Sequence, residues 1–240
     1  MMGRTHAASG SLAFAAAAPL LPLLGVHLSN VGLLVGVVVA GGAALLPDLD
    51  HPGSTASRAL GPVSGVLSNV IAAASGGHRQ GTHSLLGVAA FTMATFLADL
   101  AGTPARAVVA AFLLVLASAG LHLRLARPAL IHLTLCVVGS AILIATVPSV
   151  SAGVLPAAVA IGAAAHLAGD ALTREGVPIL WPVRRDRVHI ATLSTGGLVE
   201  RLVIGPAMLI AAGAATWHLA GGQPAAALYD VVVHNLSGAR

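Results

Sequence analysis

The chain has one cysteine, no lysine and 3% aromatic residues, and only 8% of its 240 residues are charged. Soluble domains carry about 25% charged residues, so a deficit of this size excludes an ordinary water-exposed globule. The lone cysteine, Cys136, excludes an intrachain disulfide and a thiolate-based metal cluster. The scarcity of aromatics leaves Trp181, Trp217 and Tyr229 as the only candidates for interfacial anchors. What is present is apolar: 57% of residues are hydrophobic and the mean hydropathy is +0.91. The sequence therefore predicts an integral membrane protein whose first partner is the lipid bilayer. All 12 basic residues are arginine against 8 acids, a formal net charge of +4. In such a chain that excess reads as topology, and no nucleic-acid partner is expected.

Hydropathy divides the chain into apolar runs at Ala7 to Leu28, Val31 to Leu46, Ser84 to Ala101, Ala105 to Leu121, Pro128 to Val147, Gly153 to Thr173 and Leu202 to Leu219. The predicted fold is all-α, a polytopic helical bundle of about seven spans within a range of five to seven. Residues 1–219 form a single membrane-embedded domain in this reading, and residues 220–240 a short C-terminal tail. The first run exceeds the hydrophobic region of a signal peptide and another span follows at once, so it reads as a retained helix. Pro19 and Pro22 predict a kink in it. Gly32, Gly36, Gly41 and Gly42 in the second run would permit close helix packing. Pro62 to Ser75 is apolar but short, which predicts an interfacial or re-entrant helix in the loop after the second span.

Counting crossings places Arg4, Arg58, Arg79, Arg124, Arg127, Arg174, Arg184, Arg185, Arg187 and Arg201 on the side of the amino terminus, against Arg106 and Arg240 on the other. Arginine-rich loops stay inside, so the amino terminus is expected to be cytoplasmic and the carboxyl terminus outside, in a plasma (inner) membrane. The same count puts His6, Asp48, Asp50, His78, His83, His166 and Asp170 at the cytoplasmic ends of spans.

These residues carry the chemistry. Asp48 and Asp50 lie two apart at a Pro-terminated helix end, where negative charge opposes the helix dipole and two carboxylates repel unless a cation or a shared proton intervenes. His166 and Asp170 are four apart on a helix and face the same way, a spacing suited to two ligands or to a ligand and its orienting partner. Thr173, one turn on, could bond a carboxylate or a substrate. His78 and His83 flank a turn in which Thr82 or Ser84 could cap the next helix. Arg79 between them offers a planar donor for phosphate or carboxylate. Nitrogen and oxygen donors without thiolates suit zinc, manganese or another first-row divalent ion, and the donors suffice for one ion or two. Such a site supports hydrolysis, with Asp48, Asp50, His83 and Arg79 as candidate catalytic groups.

The motifs Thr5-His6 with Gly10, Leu45-Leu46-Pro47-Asp48-Leu49-Asp50-His51-Pro52 with Ser54, His78-Arg79-Gln80-Gly81-Thr82-His83-Ser84, and His166-Leu167-Ala168-Gly169-Asp170 with Thr173, Gly176 and Trp181-Pro182 resemble, in order, the YdjM-like membrane-bound metal-dependent hydrolases. The resemblance spans residues 5 to 182 and extends to Glu200 in Gly196-Gly197-Leu198-Val199-Glu200. Gln80 departs from it as an extra residue beside Arg79 that leaves both histidines in place. The resemblance implies a bacterial inner-membrane hydrolase with a bound metal. Arg79 with Arg184 and Arg185 could serve a phosphoester substrate, such as a phospholipid. Two other readings fit the same donors: a metal-ion or proton-coupled transporter, and a membrane protein whose metal is purely structural. Transport sites usually lie at the bilayer midplane between repeats, whereas these motifs gather at one face.

Overall fold

The computed structural model describes residues 1–123, 129–146 and 153–221. Arg124, Arg127, Tyr229, Arg240 and the tail beyond residue 221 lie outside the described residues. Nine α-helices occur among those described: α1 (Gly3–Ala17), α2 (Asn30–Ala43), α3 (Thr55–Arg58), α4 (Pro62–Ser75), α5 (Leu85–Leu100), α6 (Thr103–Gly120), α7 (Ala129–Thr146), α8 (Val154–Ala171) and α9 (Gly205–Leu219). No strand forms among them, and the only β pairings are isolated bridges, Thr173 with Leu193 and Val177 with Val188. The expected all-α bundle is observed.

Among the described residues, five helical segments are long and apolar enough to cross a membrane: Gly3–Leu24, Asn30–Asp50, Thr103–Gly120, Val154–Ala171 and Glu200–Leu219. Pro62–Ser75, Leu85–Leu100 and Leu130–Ala145 are apolar but shorter. At 14 residues, α4 extends only about 21 Å at 1.5 Å per residue, short of a hydrocarbon core of about 30 Å. It turns Ser64 and Ser68 inward and leaves Val63, Val66 and Val70 exposed.

The core forms around α2, which packs against α1, α6 and α8. Its glycines explain how. A methyl group on Gly42 would collide with the Leu113 carbonyl and stand 3.1 Å from the Ala117 backbone nitrogen, so α2 and α6 touch backbone to backbone. Gly10 meets the Ala40 carbonyl in the same way, bringing α1 onto α2. Dispersion contacts at such short range are a main source of association for helices in lipid. Gly42→Val is therefore expected to force α2 from α6 and to lower the melting temperature in detergent by several degrees. An unchanged melting curve would refute the close packing.

Several boundaries differ from those read in the sequence. The first helix starts at Gly3 rather than Ala7, because the polar stretch Arg4-Thr5-His6 turns Thr5 and His6 into the protein interior. It passes at Pro19 and Pro22 into a 3₁₀ segment, Ala18–Leu24, closed by Gly25 at φ 77°. The second helix continues past Ala43 through a 3₁₀ turn, Pro47–Asp50. Asp48 and Asp50 consequently belong to a helical extension beyond Pro47. Of the two candidates for capping α5, Ser84 does so by accepting the Gly87 N–H at 3.2 Å, while Thr82 is committed elsewhere. The last span opens with a π-helical turn, Glu200–Ile204.

Candidate metal centre

Four separate segments deliver the polar residues to one place. Asp48 and Asp50 come from the turn after α2, where the Ser54 hydroxyl donates to the Asp48 carbonyl at 2.8 Å and holds the chain reversal. His78, Arg79, Thr82 and His83 come from the connection between α4 and α5. That connection starts at Gly76 (φ 83°) and Gly77 (φ 101°), and it holds Arg79 itself in the left-handed region at φ 57°. An arginine there costs on the order of 1 kcal/mol, offset by its backbone N–H donating to Asp50 Oδ2 at 3.0 Å. His166 and Asp170 lie one turn apart on α8, and His6 is in the first turns of α1.

The centre of this cluster is a meeting of two imidazoles. His83 and His166 are fully buried, with their Nε2 atoms 3.2 Å apart. His166 Nδ1 donates to the Ala44 carbonyl at 2.7 Å. A carbonyl only accepts, so Nδ1 carries a proton and Nε2 is the ring nitrogen that faces His83. Two carboxylates close on the same pair. Asp48 Oδ1 is 3.6 Å from His83 Nε2 and 3.8 Å from His166 Nε2. Asp170 Oδ2 is 3.8 Å and 3.6 Å from the same two atoms. In a tetrahedral zinc site with bonds of about 2.05 Å, neighbouring donors are about 3.3 Å apart. The His83–His166 contact matches that spacing, and the four carboxylate-to-imidazole distances, 3.6 to 3.8 Å, lie up to half an ångström above it.

His6 stacks on His166, with ring centroids 3.7 Å apart. Its Nε2 is 3.2 Å from Asp170 Oδ1, yet neither ring nitrogen has an in-line hydrogen bond. Buried polar atoms rarely go unpaired, and a metal ion is one partner that an imidazole nitrogen can take. His6, His166 and Asp170 form one triplet with donor atoms within 4.8 Å of one another, and Asp48, His78 and His83 a second. Both triplets could hold a metal ion, and they meet at the His83–His166 contact.

Asp50 behaves differently, because both of its oxygens are engaged. Oδ1 pairs with His78 Nδ1 at 2.8 Å, and Oδ2 accepts from the Thr82 hydroxyl at 2.5 Å and from the Arg79 N–H. His83 Nδ1 is 3.3 Å from Oδ2 as well. Burial alone would disfavour a charged imidazole at His83. The Asp48 and Asp50 carboxylates against its two nitrogens outweigh that penalty, and its pKa is pushed up to about 9.

Arg79 is buried, with Nη2 3.1 Å from Asp170 Oδ2 and Nη1 3.1 Å from Glu175 Oε2. The Met1 amine pairs with Asp170 Oδ1. Glu200, also buried, accepts the Met2 N–H at 2.6 Å and the Gly196 N–H at 2.7 Å, tying the start of α1 to the start of the last span. Thr173 binds neither a carboxylate nor an open substrate space: its hydroxyl donates to the Asp170 carbonyl at 2.7 Å, closing the end of α8. Arg184 and Arg185 are exposed on the loop between α8 and the last span. His51 is exposed too, its ring tilted against His78 at 4.5 Å. Besides the Met1 amine, two participants escape sequence reasoning. The Ala44 carbonyl carries no side-chain signal, whereas Glu175 could have been found as one of only 8 acids in the chain.

Apolar helices around a buried set of imidazoles and carboxylates define the class, a polytopic helical membrane protein with a polar centre able to take a metal ion. The chain belongs to the YdjM inner membrane protein family, whose sequence profile matches residues 1–126 and 128–234. No curated protein and no solved structure matches it.

Proposed function

We propose that the chain is a membrane-bound metal-dependent hydrolase that cleaves a phosphoester, with zinc as the favoured ion and manganese as another candidate. The observation that carries the proposal is the convergence of His83 Nε2 and His166 Nε2, 3.2 Å apart, with one oxygen each from Asp48 and Asp170. These four residues are the ligands in this reading. His6 supports the second oxygen of Asp170 and supplies the further nitrogen a second ion would need. Asp50, His78 and Thr82 orient His83, as carboxylates and hydroxyls behind metal-bound histidines do. A divalent ion bound there supplies Lewis acidity, polarising a phosphoryl oxygen and acidifying water. Arg79 holds an anionic oxygen of the substrate beside the ligands through its guanidinium fork. Asp48, the most exposed carboxylate of the cluster at 20%, takes the proton of the attacking water. Glu200 and Thr173 brace the segments that carry these groups. Arg184 and Arg185, exposed nearby in sequence, add attraction for anionic substrate or lipid headgroups.

The experiment is hydrolysis of a panel of phospholipids and soluble phosphoesters by purified protein, with and without chelator. Cleavage abolished by chelator and restored by zinc supports the proposal. Metal uptake into proteoliposomes without any cleavage would replace it with transport, and tightly held metal with neither activity would make the ion structural.

Zinc must displace the proton that His83 carries below pH 9, so zinc affinity is expected to rise about tenfold per pH unit from pH 7 and to level off near pH 9. A flat profile over that range would contradict His83 as a ligand. The site is expected to face the cytoplasm, as the arginine distribution argues. In a Cys136→Ser background, a cysteine replacing Arg185 should react with an impermeant maleimide only in inverted membrane vesicles.

A further inference from the structure

Arg79 is the only buried arginine among the described residues, and its two acidic partners are unlike. Asp170 is 1% exposed and belongs to the cluster, whereas the Glu175 side chain is 62% exposed. Glu175 lies in the turn after α8, just before Gly176 at φ 61°, and reaches Nη1 of the guanidinium from the solvent side. From outside inward the order is therefore carboxylate, guanidinium, metal-competent cluster. Arg79 Nε and Nη1 are buried without an in-line hydrogen bond, so the fork has donors that Glu175 does not use well. A guanidinium with spare, desolvated N–H groups matches a planar or tetrahedral oxyanion. A half-exposed carboxylate held by a single contact is a weak partner, because ion pairs open to solvent contribute little.

We infer that Arg79 is a binding site for a phosphate group and that Glu175 is an internal carboxylate which fills it at rest and is displaced when the phosphate enters. The inference rests on the phosphoester reading and sharpens it. The ligand must carry enough negative charge to replace a carboxylate on the same fork, which favours phosphate monoesters and diesters over neutral esters or amides. Glu175 thereby acts as a specificity-determining residue, repelling anions that cannot make the two-point contact. It makes no contact with the reacting atoms and is not itself catalytic.

The test is calorimetric binding of inorganic phosphate to the full-length, zinc-loaded protein in detergent, which needs no turnover. Glu175→Gln, at an exposed position, removes the competing charge and leaves the fold intact. Phosphate affinity is expected to rise about 1.5- to fivefold in Glu175→Gln, the range set by a solvent-exposed ion pair. Arg79→Gln should abolish phosphate binding while zinc is retained. Equal or weaker phosphate binding by Glu175→Gln, or none by the unmodified chain at millimolar phosphate, overturns the inference. Phosphate binding in the expected pattern without cleavage of any ester would overturn the hydrolase reading alone. Zinc-dependent cleavage with an indifferent Glu175→Gln would overturn this inference alone.

Discussion

His166→Ala is expected to yield protein without stoichiometric zinc and with hydrolysis reduced to the chelated background. The His166 ring is fully buried and held at both nitrogens, by the Ala44 carbonyl at Nδ1 and by the His83 contact at Nε2. His6 stacks face to face on the ring, with its own Nε2 3.2 Å from the other oxygen of Asp170, and so does not take the place of the lost Nε2. Alanine also leaves the Ala44 carbonyl without a donor, a penalty of about 1 to 3 kcal/mol, so some loss of stability accompanies the loss of metal. The two effects separate in a melting experiment. A ligand present at about 1,000 times its dissociation constant stabilises the native state by about 4 kcal/mol. The unmodified protein should thus melt several degrees higher with zinc than with chelator, and His166→Ala should melt at one temperature in both. His27→Ala, on the exposed stretch before α2, is the control that keeps zinc. Normal zinc content in His166→Ala would remove the ligand assignment altogether.

The parts of this molecule legible in its sequence are those with a local or periodic signature. Apolar runs fall on the helices because a span in lipid must satisfy its backbone internally, so hydropathy and helix coincide. The four-residue spacing of His166 and Asp170 fixes their common face before any tertiary structure is known. The short apolar stretch from Pro62 to Ser75 reads as a helix too short to cross, and α4 is that helix. Reading fails where a polar residue is placed by a partner remote in sequence. The apolar run begins only at Ala7, yet α1 already includes His6, whose ring Asp170 and His166 give a buried polar neighbourhood. Thr173 looked free to meet a ligand, but the carbonyl of Asp170 takes its hydroxyl. Asp48 and Asp50 look equivalent in sequence, two carboxylates around one leucine. Their two-residue spacing on a 3₁₀ turn sends one toward the imidazole pair and the other into the connection before α5. Nothing in the local sequence distinguishes them.

That difference between the two aspartates leads to the sharpest test. Asp50→Asn is expected to weaken zinc binding by about 10- to 100-fold while leaving the site able to fill at high zinc, the usual cost of altering a group behind a metal-bound histidine. The amide keeps the size of the carboxylate. Its oxygen can still accept from Thr82 and from the Arg79 N–H, and its NH₂ can donate to His78 Nδ1, so the connection before α5 keeps its shape. What disappears is the negative charge 3.3 Å from His83 Nδ1, which makes the opposite nitrogen a stronger donor. Asp48→Asn should behave otherwise, because Asp48 Oδ1 faces the two Nε2 atoms at 3.6 Å and 3.8 Å; there a ligand atom is lost and zinc does not refill the site. Asp50→Ala is expected to be worse than Asp50→Asn for a reason unrelated to metal. It strips the partners from His78, Thr82 and the left-handed Arg79 together, a buried network whose rupture costs about 3 to 5 kcal/mol. Zinc titrations of the three variants decide the matter. Equal and complete loss in Asp50→Asn and Asp48→Asn would make Asp50 a ligand in its own right, and the cluster would then be better described as two adjoining ion sites that share His83.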